Sequence, residues 1–283
     1  MNNNPSPLII AFVGDLMFSS KISSVVNHLG YRVEWIERAN DITIDHTTPD
    51  ETPGEKLLGR KGKLFEQVVA QQPALFLFDL TNNEIPWYDW IATLKSSPAT
   101  RRIPIMAFGP HEDVALLQTA KSAGANFVFA RSRFFSDMPT LLQKHARIPN
   151  YDALTEACQQ PLPPLVIEGL ELFNHGEYYK CHDALEAAWN EDQTAGRELY
   201  RGILQVGIAY YQIQRGNYRG AVKMLLRVRQ WLDPLPTWCR GIHVAKLRQE
   251  AAAVQEALTA LGAEGMESFD QQLFQPIEYK ITN

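Results

Sequence analysis

Between Leu8 and Lys144, short apolar runs alternate with helical patterns five times, and beyond Pro164 the strand signal disappears. Leu8–Val13 and Ala74–Phe78 contain no polar residue, the profile of strands covered on both faces. Arg32–Glu37, Ile103–Phe108 and Phe127–Ala130 complete a set of five strands. Helical spacing follows each one, over Lys21–Leu29, Leu57–Val69, Trp87–Lys95, Asp113–Ala123 and Phe135–Lys144. The polar stretch Ala39–Glu55, with Pro49, Pro53 and Gly54, is expected to be an exposed loop. Strand-then-helix repetition predicts an α/β domain with a five-stranded parallel sheet. Sites in such sheets form at the carboxyl ends of strands, which here carry Asp15, Asp79, Gly109 and Arg131.

Prolines 149, 161, 163 and 164 bracket a short helical stretch, Tyr151–Cys158, and mark a linker over 147–164. Helices are expected over Leu165–Phe173, Glu177–Trp189, Gly196–Gln214, Tyr218–Leu232 and Ile242–Leu261. The expected organisation is an α/β domain over 1–146, the linker, an all-α bundle over 165–262 and a tail over 263–283. Apolar residues scattered along that tail suit a strap. Phe173-x-x-Gly176-x-Tyr178 with Leu185 recurs as Ile213-x-x-Gly216-x-Tyr218 with Leu225, a weak repeat of the helix-turn-helix kind.

A chain of 283 residues with 45% apolar and 21% charged residues can bury two ordinary cores. Its net charge of −5 disfavours general attraction to nucleic acid or anionic membrane. Three cysteines without C-x-x-C spacing point to reduced thiols and a cytoplasmic protein. The polar start MNNNPSP and the short run Leu8–Val13 suit neither a signal peptide nor a membrane span.

The most distinctive stretch is Gly176–Trp189. At about 100° per residue, Tyr178, Cys181, His182, Leu185, Ala188 and Trp189 share a face, with Glu186 beside His182 and Asp183 beyond it. Arg201 and Gln205, on the next helix, are expected to approach Glu186 and His182. Such a cluster supports three readings: a satisfied structural network, a recognition site for an anionic or aromatic group, or a metal or hydrolytic centre. Zinc and iron–carboxylate sites need more ligands than His175, His182 and Glu186 supply. No Ser-His-Asp order, phosphate loop or H-E-x-x-H is present. Arg215, Arg219, Lys223 and Arg227 recur at every fourth position and predict a basic stripe, read either as a solvated face or, more sharply, as a surface that docks an acidic one.

Residues 8–146 resemble a response-regulator receiver domain, which implies flavodoxin-like strand order. Asp79 falls on the family's phospho-accepting aspartate and Asp15 on one of its two magnesium-holding acids. Gly14 stands in place of the other acid, Gly109 in place of a Thr or Ser, and Arg131 in place of the conserved Lys. The resemblance therefore implies a degenerate receiver, with magnesium only if its pocket still works. A second motif is G-x-Y-x-x-x-H-D-x-x-E-x-x-W, then Arg201-Gly202-x-x-Gln205 and Arg215-Gly216-Asn217. It resembles domain-of-unknown-function family 309, over roughly 163–262, and implies a tetratricopeptide-like helical fold without an assigned activity. Together they imply a signalling or regulatory protein that binds a protein partner, with a homodimer through the receiver-like part as an option. The alternative is an enzyme or small-molecule binder using His182, Asp183, Glu186 and Arg201.

Overall fold

The computed structural model describes residues 6–43 and 57–281. The start of the chain at 1–5 and most of the expected loop, 44–55, lie outside the described residues. The chain divides into two compact units, one ending at Ile148 and one running from Pro149.

In the first unit, β1 (Leu8–Phe12), β2 (Arg32–Trp35), β3 (Leu75–Asp79), β4 (Ile105–Gly109) and β5 (Phe127–Ala130) pair in parallel in the order β2-β1-β3-β4-β5. That is the flavodoxin-like order. The three inner strands are buried along their whole length, which is why their sequences are apolar up to the Asp79 that ends β3. Alternate residues feed two cores. Ile10, Phe12, Phe76 and Phe78 meet Leu64 and Trp90 on one face, while Ile9, Leu77 and Phe108 meet Val26 and Phe134 on the other.

Five helices cover the sheet: α1 (Leu16–His28), α2 (Gly59–Gln71), α3 (Trp87–Ser96), α4 (Val114–Ala123) and α5 (Arg131–His145). Two begin earlier than periodicity suggests. The Asp15 carboxylate caps α1 by accepting from the backbone N–H groups of Met17 and Phe18 at 2.8 and 3.1 Å, so the helix starts at Leu16 rather than Lys21. Helix α5 starts at Arg131 rather than Phe135, which puts a cation in its first turn.

The second unit contains α6 (Tyr151–Cys158), α7 (Pro164–Asn174), α8 (Tyr178–Glu191), α9 (Glu198–Gln214), α10 (Tyr218–Leu232) and α11 (Val244–Leu261). The repeat in the sequence is a repeat in the structure. α7–α8 and α9–α10 are helical hairpins closed by the same three backbone bonds, to the carbonyls of Glu171, Leu172 and Phe173 in one and Tyr211, Gln212 and Ile213 in the other. Gly176 and Gly216 take φ of 78° and 70° at the two turns, a conformation that L side chains rarely adopt. Gly202 lets α9 and α10 approach closely, since a Cβ there would collide with the Leu232 side chain.

Three expectations need correction. A two-stranded antiparallel hairpin, β6 (Trp238–Cys239) and β7 (Ile242–His243), precedes α11; strands of two residues carry no legible alternation. Cys158 and Cys239 form a disulfide, leaving Cys181 as the one free, buried cysteine among the described residues. Their 81-residue separation hid the pairing from spacing arguments, and the thiol argument for a cytoplasmic protein falls with it. Helix α6, placed in the linker by its prolines, is thereby tied to the helical unit. The tail straps that unit: Phe274 stacks on Tyr210 at 4.3 Å, Asn174 exchanges two hydrogen bonds with Ile277, and Tyr279 bridges to Ile242. No helix among the described residues is long and apolar enough to cross a membrane.

Candidate functional sites

At the carboxyl end of β3, Asp79 is 2% exposed. Its Oδ1 accepts from the Thr81 backbone N–H at 3.0 Å and the Thr81 hydroxyl at 2.7 Å. Arg131 Nη2 donates to the same hydroxyl at 2.8 Å and lies 3.8 Å from the Asp79 carboxylate. The guanidinium also covers the Phe18 ring at 4.8 Å. A cation in the first turn of α5 opposes that helix's dipole; the Asp79 charge offsets the conflict. Asp15 lies at the same end of the sheet, exposed and engaged as a helix cap. Where a second acid would project from Gly14, a Cβ would meet the Asn82 carboxamide at 3.3 Å. Asn82 is itself fixed, donating to the Glu37 carbonyl and accepting from the Glu84 N–H. Gly109 ends β4 among Leu80, Leu116 and Leu117 and contributes no polar side-chain atom. Asp79 and Arg131 are thus brought together; Asp15 is turned to its own helix.

In the helical unit the expected cluster divides in two. On α8, His182 is not central to the buried face. Cys181 and Leu185 are buried, whereas a third of the His182 side chain is exposed. Its Nδ1 lies 3.3 Å from Asp183 and 3.9 Å from Glu186, both well exposed. Arg201, expected beside these residues, instead inserts between two tryptophans, 4.0 Å from the Trp189 ring and 4.6 Å from the Trp231 ring, and pairs with Glu198 at 3.5 Å. Arg197 lies over the other part of the arrangement, 4.9 Å from Trp189. Delocalised charge and weak hydration suit guanidinium to such aromatic stacking. Trp189 Nε1 and Gln205 Oε1 are sealed from solvent without a hydrogen-bond partner. Burial pushes the Cys181 thiol up to about 12, which makes it a poor nucleophile.

The basic stripe is shorter than its spacing implies. Arg215 caps the end of α9, before Gly216 reverses the chain, and donates to the Tyr211 hydroxyl at 2.9 Å. Arg219, Lys223 and Arg227 remain on α10, half-buried rather than projecting into solvent.

One buried cation went unnoticed in the sequence. Arg240, 4% exposed in the β6–β7 turn, donates to the Ala157 carbonyl, Gln160, Thr194 and the Tyr200 hydroxyl, and pairs with Asp192 at 2.9 Å. Burial alone would raise the Asp192 carboxyl. The Thr194 backbone and hydroxyl bonds and the Arg240 charge outweigh it and hold the group below its ordinary 3.8. Because every acceptor is local to the fold, this site is structural.

Residues 166–224 match DUF309, a domain of unknown function. The match ends within α10, short of the 163–262 span that the motif suggests. An uncharacterized protein of Aquifex aeolicus is 26% identical over 88 residues, 30% of this chain and 26% of its own length. YpuF, an uncharacterized protein of Bacillus subtilis, is 36% identical over 50 residues, 17% of this chain and 29% of its own. This chain thus covers less than a third of either relative. Similar solved structures include a putative response regulator from Chloroflexus aurantiacus, at 14% identity over 50% of this chain and 97% of that one, TM-score 0.38. The receiver domain of a sensor histidine kinase from Pseudomonas aeruginosa is 16% identical over 50% and 98%, again with TM-score 0.38. The α/β unit has the flavodoxin-like strand order, and the remainder is helical apart from the β6–β7 hairpin.

Thr81, Asn82 and Phe18 around Asp79, and Glu198 and Trp231 around Arg201, were not foreseen. Thr81 stands two residues after the strand-ending acid, an available signal. Trp231 is 30 residues from Arg201, and nothing local links them.

Proposed function

We propose that the protein is regulatory, of the signal-transduction kind. Its α/β unit serves as a docking or dimerising module not switched by phosphoryl transfer, and its helical unit binds a protein partner through stacked helical hairpins of the tetratricopeptide sort. Arg131 carries this reading. Its guanidinium supplies to Asp79 the positive charge that a metal would otherwise bring, and it secures Thr81 at the same time. The donor set suits magnesium poorly, because a hard cation needs several free oxygens. Asp79 is buried and bonded, Asp15 is spent on α1, and Asn82 fills the space beside Gly14. An enzyme or small-molecule site at His182, Asp183, Glu186 and Arg201 has less support, since Arg201 stacks on tryptophans while the acids beside His182 face solvent.

Incubation of the full chain with acetyl phosphate and magnesium, followed by intact-mass measurement, tests the reading of the α/β unit. No stable gain of one phosphate is expected. A gain that disappears in Asp79→Asn would overturn it.

A further inference from the structure

The tail beyond α11 lies on the helical unit in the manner of a bound peptide. Its helical content is two 3-10 turns of three residues, Met266–Ser268 and Gln271–Leu273. Four hydrogen bonds then hold its main chain. The Asn174 carboxamide, at the end of α7, accepts from the Ile277 N–H at 2.7 Å and donates to the Ile277 carbonyl at 3.1 Å. The tail next pairs with the edge of β7. There the His243 N–H donates to the Glu278 carbonyl at 2.9 Å and the Lys280 N–H to the Gly241 carbonyl at 2.8 Å. Ile242 and Tyr279 stand opposite each other as an antiparallel bridge. Gly241 permits this approach, since a Cβ there would collide with the Lys280 carbonyl. Main-chain bonds of this kind hold an extended backbone whatever its sequence, and adding a strand to a sheet edge is a recurring mode of peptide recognition.

Two side chains supply a sequence preference. Phe274 stacks on Tyr210 at 4.3 Å and meets Tyr178 edge-on at 5.8 Å, while Phe173 backs the two tyrosines at 5.2 and 5.7 Å. Three residues later, Ile277 is 3% exposed. Little else in the tail is committed. Beyond Phe269, Ile277 is the only buried residue among those described, and Gln271, Gln272, Gln275, Pro276, Glu278 and Lys280 are exposed. The groove beneath is the reverse, with Phe173, Tyr178 and Tyr210 all buried. A segment with few buried apolar side chains and main-chain bonds near the surface opens at lower cost than the helices under it. Its departure uncovers a run of aromatic rings, the kind of surface that marks an interaction site.

Taking the helical unit as a protein-binding module, as in the reading above, we propose that residues 270–281 are a detachable strap. The tail is a peptide ligand carried by the chain itself, and an extended partner segment with an aromatic residue three positions before an aliphatic one replaces it. Asn174 and the β7 edge hold the incoming main chain, and Tyr178 and Tyr210 take its ring. A tethered ligand acts at an effective concentration on the order of millimolar, so the strap masks the groove from weak competitors. Weakening the strap therefore strengthens binding of a separate peptide, which a purely structural tail would not do.

Fluorescence anisotropy of the full chain with a fluorescein-labelled peptide copying Asp270–Lys280 tests this. The variant Phe274→Ala with Ile277→Ser should bind that peptide about tenfold or more tighter than the unchanged chain does. Adding Asn174→Ala to this variant should weaken binding about tenfold. A peptide carrying the same two tail substitutions should not bind. In the unchanged chain, the Ile277 and Lys280 amides should exchange with deuterium about a hundredfold faster than those of Val206 and Ala209 in α9. Equal exchange rates would make the tail part of the core and overturn the proposal. Loss of folding in the strap variant by circular dichroism, absence of binding by it, indifference to Asn174→Ala, or equal binding of a scrambled peptide would each do the same. Phosphorylation of Asp79 would remove the reading of the α/β unit and leave these measurements untouched. Conversely, a partner captured while the tail amides stay as slow as α9 would overturn the strap and keep the regulatory reading, with its site elsewhere.

Discussion

Arg131 and Arg240 each answer a carboxylate, yet they do so under different constraints. Arg131 keeps 32% of its side chain in solvent and reaches Asp79 at 3.8 Å, with Thr81 between them. Arg240 is 4% exposed, meets Asp192 at 2.9 Å and serves four further acceptors drawn from residues 157 to 200. The first sits at an open strand end, where it holds one acid and one hydroxyl. The second stands where three separate segments of the helical unit converge, and there the charge is part of the core. An arginine beside an acid thus joins few groups in one place and many in the other, and exposure distinguishes the cases.

The widest gap between them is expected on truncation. Arg240→Met strands a nearly buried Asp192 and leaves Tyr200, Gln160 and Thr194 short of a donor, which should cost on the order of 3–5 kcal/mol in urea unfolding. Arg131→Met should cost no more than about 1–2 kcal/mol, since Thr81 keeps both bonds to Asp79. Equal losses would break the comparison. Acid sharpens it. The Asp192 carboxyl titrates below its ordinary 3.8, so its contribution is complete above about pH 4 and is lost as pH falls through the depressed value. Asp192→Asn should flatten that part of the acid unfolding curve.

Next in size is the Cys158–Cys239 bond, which fastens α6 to the strand that precedes Arg240. Replacing both cysteines with alanine should cost about 2–4 kcal/mol, mainly by freeing the unfolded chain. Alkylation of denatured, unreduced protein should label one cysteine, Cys181, and three after reduction. Three labels without reduction would mean that Arg240 holds its turn unaided.

These effects also mark what the sequence made legible. Continuous apolar runs such as Leu75–Phe78 announce buried strands, because a strand covered on both faces needs no polar position. Asp79 and Arg131 follow directly from reading the ends of those runs. The hairpin repeat was visible because its glycines answer a local backbone requirement. Arg240 was not, since Cys239-Arg240-Gly241 looks like any turn until residues 157–200 fold around it. The Arg201 stack failed for a related reason. Periodicity tells which side chains share a face on one helix, but the partner across the gap depends on helix register, which Gly202 against Leu232 helps to set.

The smallest expected effect belongs to the residue that looked most important in the sequence. A histidine in the middle of an apolar helix face should cost roughly 1–3 kcal/mol when removed, because its partners are stranded. In the fold His182 is a third exposed, its nearest acid is the exposed Asp183 at 3.3 Å, and Glu186 stands farther off at 3.9 Å. Pairs of this kind contribute only a few tenths of a kcal/mol. His182→Ala should therefore move the unfolding midpoint by less than about 0.5 kcal/mol equivalent, in contrast to Arg240→Met in the same unit. A loss above about 2 kcal/mol would return His182 to the core and the cluster to a structural network.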